Sequence, residues 1–184
     1  MNAIDLLKRD HAKVKDLFRQ YEKAGGQHRE LAEQIFTELE IHATLEEELF
    51  YPALRGHVKP AILEPEPSTA ERDAEEEEAD SMAQEEDLVA EALEEHQEVK
   101  TLIATLWRLD PDDEQFRTAF SELRESVEEH VGMEEDELMA DAEAALGGEL
   151  ERLGQQLEAR KEQLMPGKEG PYGGRDVSAV ALES

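Results

Sequence analysis

Apolar residues recur at steps of three and four along most of the chain, the period of a helix with one buried face. Ile4, Leu7, Val14, Phe18 and Tyr21 make one such stripe, and Leu31, Ile35, Leu39 and Leu49 a second. Val89, Leu93, Val99, Ile103 and Leu106 make a third, and Phe116, Phe120, Leu123, Val127 and Leu138 a fourth. The stripes predict helices over about Asn2–Lys23, Gln27–Leu54, Glu85–Leu109 and Pro111–Leu146. Leu150, Leu153, Leu157 and Leu164 add a short fifth. Asn2 reads as the first N-cap, and Gly25-Gly26 and Gly147-Gly148 as helix stops. Asp110 reads as an N-cap with Pro111 as first helical residue. Pro52 should distort the end of the second helix.

Between about residues 56 and 86, Pro60, Pro65 and Pro67 and the block Glu75–Glu78 suggest an acidic linker with irregular or helical character. Beyond Pro166 the chain is rich in glycine and reads as a disordered tail, 166–184. No segment alternates with period two. The expected fold is all-α: an antiparallel up-down-up-down four-helix bundle over residues 1–165, closed by a short C-terminal fifth helix.

Each stripe is interrupted by a histidine: His11, His42, His96 and His130. Short connections make each helix pair antiparallel, and counting residues back to each turn leaves depth mismatches of only about 5–6 Å at 1.5 Å per residue. All four should meet in one layer near mid-bundle. Two carry a glutamate one turn on, His42–Glu46 and His130–Glu134. Such pairs are weak evidence in a chain this acidic, and one histidine on an apolar face is more often a satisfied core residue. Four at one depth beside two carboxylates would be too costly to bury without a cation. Imidazole and carboxylate donors suit iron, manganese or zinc. Tyr51, near the end of the second helix, either packs against the bundle end or completes the site. His28 and His57 fit surface or capping roles.

Composition narrows the rest. The net charge of −29 opposes nucleic acid and anionic membranes, and reads as a solvated acidic surface. There is no cysteine, hence no disulfide, thiolate site or cysteine nucleophile. The N-terminus lacks an apolar leader core and no stretch has the length of a membrane span, so the cytoplasm is the expected location. The sequence leaves the oligomeric state open, with a monomer favoured.

The motifs together resemble the hemerythrin-like, or HHE cation-binding, family. They are Asp10-His11, the run from His42 through Glu46-Glu47-Glu48 to Tyr51-Pro52, Glu95-His96-Gln97-Glu98-Val99-Lys100, and His130 through Glu134-Glu135. The resemblance implies two non-haem iron ions with an oxo or hydroxo bridge. Glu46 and Glu134 would be carboxylate bridges and the four histidines terminal ligands. Oxygen-carrying members have a fifth histidine where this chain has Lys100. The chain is more similar to a bacterial four-His/two-Glu group, in which a tyrosine placed like Tyr51 can join the coordination. Met139-Ala140 stands where an aromatic–proline pair is common. One or two open positions on such a pair would meet small oxidants: hydrogen peroxide, O2 or NO. Catalase-like peroxide breakdown is the sharpest expectation, and no separate general base is evident. Binding or sensing of O2, NO or iron without turnover is the alternative, and a metal-free structural bundle the third.

Overall fold

The computed structural model describes residues 1–26, 28–56 and 69–165, with side chains of the third stretch described from Leu88 onward. Its elements are α1 (Ala3–Lys23), α2 (Arg29–Leu45), a π-helical turn (Glu46–Phe50), α3 (Tyr51–Gly56), α4 (Thr69–Leu106), α5 (Glu114–Met133), a second π-helical turn (Glu134–Leu138), α6 (Met139–Leu146), a 3-10 turn (Gly147–Glu149) and α7 (Leu150–Leu164). No strand occurs among the described residues, and no described helix is long and apolar enough to cross a membrane.

The expected caps explain several boundaries. Asn2 Oδ1 accepts the Asp5 backbone N–H at 2.8 Å and so starts α1. Gly25 and Gly26 take φ of 90° and 72°, the left-handed region that lets the chain reverse. The Tyr21 hydroxyl donates to the Gly26 carbonyl at 2.6 Å and fixes that reversal.

Other boundaries depart from the sequence reading. α4 reaches back to Thr69, so the Glu75–Glu78 block is helical; Glu and Ala are strong helix formers even when like charges crowd. At the other junction Asp110 and Pro111 do not open a helix. Asp113 N–H donates to the Asp110 carbonyl at 2.9 Å and Asp112 N–H to Asp110 Oδ1 at 3.0 Å. That is a turn with Asp at its first position and Pro at its second, and α5 starts only at Glu114. The distortion expected at Pro52 appears as the π turn just before it, where Tyr51 N–H reaches five residues back to the Glu46 carbonyl. Pro52 has no N–H to restore the four-residue pattern. The second π turn, at Glu134–Leu138, has no proline to announce it. Expectations for the linker at 57–68, His57 within it, and the tail at 166–184 fall outside the described residues.

The core has two apolar halves. One holds Leu6, Leu7, Ile41, Leu45, Phe50, Leu54, Leu138 and the leucines of α7. The other holds Val14, Phe18, Ile35, Phe36, Ile103, Leu106, Phe116, Phe120 and Leu123. α7 lies so close to the N-terminus that a Cβ on Gly154 would collide with the Met1 carbonyl oxygen and the Asn2 backbone, so only glycine fits there. The polar layer lies between the halves. Of the eight buried polar or charged residues among the described ones, seven are Asp10, His11, His42, Glu46, His96, His130 and Glu134.

Candidate metal centre

The four histidines come from α1, α2, α4 and α5 and turn their Nε2 atoms to a common point. His11 and His42 Nε2 are 2.9 Å apart, and His96 and His130 Nε2 are 3.1 Å apart. Glu46 lies between the pairs, with Oε1 3.2 Å from His42 Nε2 and Oε2 3.3 Å from His96 Nε2. Glu134 Oε2 is 3.3 Å from His11 Nε2 and 3.4 Å from His130 Nε2. Both glutamates are fully buried. Each carboxylate thus spans nitrogens of both pairs.

The outward nitrogens are held by a second ring of acids. His11 Nδ1 donates to Glu135 at 2.9 Å, His96 Nδ1 to Glu47 at 3.0 Å and His130 Nδ1 to Glu95 at 2.7 Å. A neutral imidazole has one N–H. With that N–H given to a carboxylate, Nε2 of each ring presents a bare lone pair inward. His96 and His130 therefore face lone pair to lone pair, beside carboxylate oxygens. Glu46 Oε1, Glu46 Oε2 and Glu134 Oε2 are buried and form no well-aligned hydrogen bond. A single added proton could join one pair of nitrogens, but not serve the whole set. A metal ion serves all of it. Two nitrogens about 2.1 Å from one ion at right angles lie about 3.0 Å apart, the spacing of both histidine pairs. The donor atoms group as His11, His42, Glu46 and Glu134, and as Glu46, His96 and His130.

The protein's own field acts unequally on the inner groups: against the cost of burial, Glu134 raises His11, and Glu95 and Glu134 raise His130, so these two rings draw positive charge to the site. Burial, then the nearby Glu134, push the Glu46 carboxyl well above its usual range. Burial also works against charge on Glu134, but the His11 hydrogen bond and the surrounding histidines outweigh it and hold its carboxyl low. Burial depresses His42 strongly, and the neighbouring His11 adds to that. His42 is thus kept in the neutral form that binds metals. The ring N–H of His96, with Lys100 beside it, holds Glu47 at about 2.

Tyr51 is buried, and its hydroxyl donates to Glu134 Oε1 at 2.7 Å and lies 3.5 Å from His96 Nε2. The π turn puts it there. In an unbroken α-helix a residue five on from Glu46 would point about 140° away from it; the wider turn brings it round to the same face. All seven residues read from the sequence as metal candidates therefore come together. His28 stands exposed at the N-cap of α2 with no capping bond.

The sequence reading missed the outer ring: Glu47, Glu95, Glu135 and Lys100. The Lys100 ammonium donates to both Glu47 oxygens, at 2.5 and 2.7 Å, and so buttresses the acid that holds His96. The signal was present as the Glu following each bridging glutamate and the Glu preceding His96, but it is hidden among 48 acidic residues. On the side of the histidine layer away from the glutamates lies a cavity of about 20 Å³. Its walls are the four rings with Val14, Leu39, Ala43, Val99, Val127 and Val131.

Comparison with known proteins agrees with this geometry. The model of the Hemerythrin HHE cation binding domain matches residues 2–142. Uncharacterized proteins Rv2633c of Mycobacterium tuberculosis and Mb2666c of Mycobacterium bovis are each 28% identical over 169 residues, covering 89% of this chain and 88% of their own. A crystal structure of a Hemerythrin HHE cation binding domain-containing protein, the Rv2633c homolog from Mycobacterium kansasii, superposes with a TM-score of 0.66. It is 25% identical, and the match covers 89% of this chain and 87% of that one. With a family match over most of its length, and a buried His/Glu cluster that fits a metal, this chain belongs to the Hemerythrin HHE cation-binding family.

Proposed function

We propose that the layer holds two iron ions and reacts with small oxidants, with catalase-like breakdown of hydrogen peroxide as the leading activity. The observation that carries the metal reading is the inward set of lone pairs: four ring nitrogens and three carboxylate oxygens, buried, with the outer nitrogens of three rings already bonded. His11 and His42 would hold one ion and His96 and His130 the other, with Glu46 and Glu134 between them. The donor set alone suits iron, manganese or zinc; the resemblance to hemerythrin-like proteins selects iron. The bundle domain would run over residues 1–165.

A redox-active metal pair supplies electron exchange to a bound oxidant. The chain's own residues supply the rest. The cavity of about 20 Å³ has room for roughly one water-sized guest, since a water needs about 10–15 Å³ by that measure. That is far too little for an organic substrate and limits the guest to the smallest molecules. The valines and Leu39 keep bulk water from the metal face. The Tyr51 hydroxyl, its oxygen 2.7 Å from Glu134 Oε1, donates a hydrogen bond to that carboxylate. Burial, then the charges of Glu46 and Glu134, push its phenol up, so it acts as a hydrogen-bond donor unless a strong Lewis acid takes its oxygen. The proposed overall reaction takes two peroxides to two waters and one O2.

One observation favours a second reading. Apart from the rings, the cavity wall is apolar and offers peroxide no hydrogen-bond partner. An uncharged diatomic, O2 or NO, would sit there without that cost, giving reversible binding rather than turnover. The test is to load the protein with iron, add peroxide and follow both O2 release and the near-ultraviolet spectrum. Sustained O2 release from many equivalents of peroxide supports the enzyme. A spectral change that reverses on ligand removal, with no O2 release, supports the binder.

A further inference from the structure

The centre is built twice over. His11, His42, Glu46 and Glu47 correspond in order to His96, His130, Glu134 and Glu135, and the second histidine and its two glutamates are identically spaced in both halves. Two acids of the outer ring reach a histidine of the other half: Glu47 holds His96 and Glu135 holds His11. The residue before His96 is Glu95, which accepts from His130 Nδ1. The residue before His11 is Asp10, which that correspondence sets opposite His42. Each of these two residues carries an orphaned atom. His42 Nδ1 and Asp10 Oδ2 are both buried and without a partner. The other oxygen of Asp10 is 2.5 Å from the Lys161 ammonium of α7, and both side chains are largely covered.

We propose that Asp10 is the fourth outer carboxylate, a positioning residue for His42, and that Lys161 makes α7 part of the metal centre. Oδ2 accepts the His42 Nδ1–H when Nε2 gives its lone pair to the metal, which satisfies both orphaned atoms in one bond. Aspartate is one methylene shorter than Glu95, so it needs a fixed orientation to reach. Lys161 supplies it by holding Oδ1 and balancing the buried charge. The histidine–carboxylate pair selects the tautomer and strengthens the ligand, an outer contact whose loss typically costs about 10–100-fold in metal affinity. Docking of the C-terminal helix thereby sets how tightly one side of the centre is held.

This inference rests on the metal reading, and the experiment separates the two. Wild-type protein, Asp10→Ala, Asp10→Glu and Lys161→Met are loaded with iron, and affinity is measured by competition with a chelator. Proton NMR then counts the shifted, exchangeable imidazole N–H signals. The wild type should show four. Asp10→Ala should lose one signal and about 10–100-fold in affinity. Lys161→Met should weaken binding less, and Asp10→Glu should restore the signal. Circular dichroism of the metal-stripped variants checks folding, and Lys161→Met keeps the test open if Asp10→Ala does not fold. A wild type that takes up no iron would sink the metal reading itself. A loaded wild type with Asp10→Ala and Lys161→Met unchanged in affinity and signal count would overturn the role of Asp10 alone.

Discussion

The α1–α3 half and the α4–α6 half of the bundle set the same residues around the layer, and they differ at two corners. Each half contributes a histidine, then a second histidine with a glutamate one turn on, then a second glutamate and a π turn. Each even carries a lysine four residues after its first histidine: Lys100 is 2.5 Å from Glu47, and Lys15 is 3.7 Å from Glu135. The first difference lies five residues past each bridging glutamate, where one half has Tyr51 and the other Met139, both buried. The second is the outer partner of the second histidine, Glu95 in one half and Asp10 with Lys161 in the other. The shared pattern is what two like cations require. The departures make the two positions chemically unequal: the Tyr51 hydroxyl and the Glu95 carboxylate both lie at the His96–His130 pair, whereas the His11–His42 pair depends on a partner steered by α7.

The largest effects should come from breaking what the halves share. Glu46→Ala or Glu134→Ala should abolish binding of both ions, because each carboxylate spans both histidine pairs; elemental analysis after loading reads this directly. His42→Ala should also lose metal, whereas His28→Ala, on an exposed cap, should not. Next come the outer acids. Glu95→Ala and Glu135→Ala should each weaken metal binding about 10–100-fold without changing the fold, as read by chelator competition. An effect at one and none at the other would show that the halves are less alike than their geometry.

Smaller effects sharpen the asymmetry. Tyr51→Phe removes the hydrogen bond to Glu134 and should cost about 0.5–1.5 kcal/mol in thermal stability of the metal-free protein. It should also change the spectrum of the loaded protein if the phenol joins the coordination. Met139→Leu, its counterpart, should leave the spectrum alone and cost less than about 1.5 kcal/mol. The pH dependence tests the outer ring at Glu47, which is partly exposed. Glu47 is lowered from about 4.5 to about 2 by His96 and Lys100. A depressed carboxylate contributes fully above the unfolded value and loses that contribution as pH falls through the folded one. The wild type should therefore lose part of its stability between about pH 4.5 and 2. Glu47→Gln should flatten that part of a melting-temperature profile; an unchanged profile would remove Glu47 from the account.

The inner layer was legible in the sequence because a histidine in a leucine–valine stripe breaks a pattern that burial otherwise enforces. His11, His42, His96 and His130 each did so, and helical spacing carried Glu46 and Glu134 with them. The outer ring was not legible for the opposite reason. Glu47, Glu95 and Glu135 break nothing, since glutamate is the common surface residue here and each is partly exposed. The π turns were half legible: Pro52 marked one, while Glu134–Leu138 is made of ordinary helix formers. The placement of Tyr51 depended on that turn, which is why helical spacing alone left its role open. At Asp110-Pro111 two valid rules competed, and the turn won over the cap because its two hydrogen bonds to Asp110 close before the helix begins.

The most direct test of the central claim is a titration of the metal-stripped protein with ferrous iron under anaerobic conditions, following bound metal and melting temperature together. Binding should saturate at two ions per chain, with a rise in melting temperature at each equivalent, and Glu134→Ala should show neither response. A wild type that binds less than one ion per chain, and melts at the same temperature with or without iron, would contradict it.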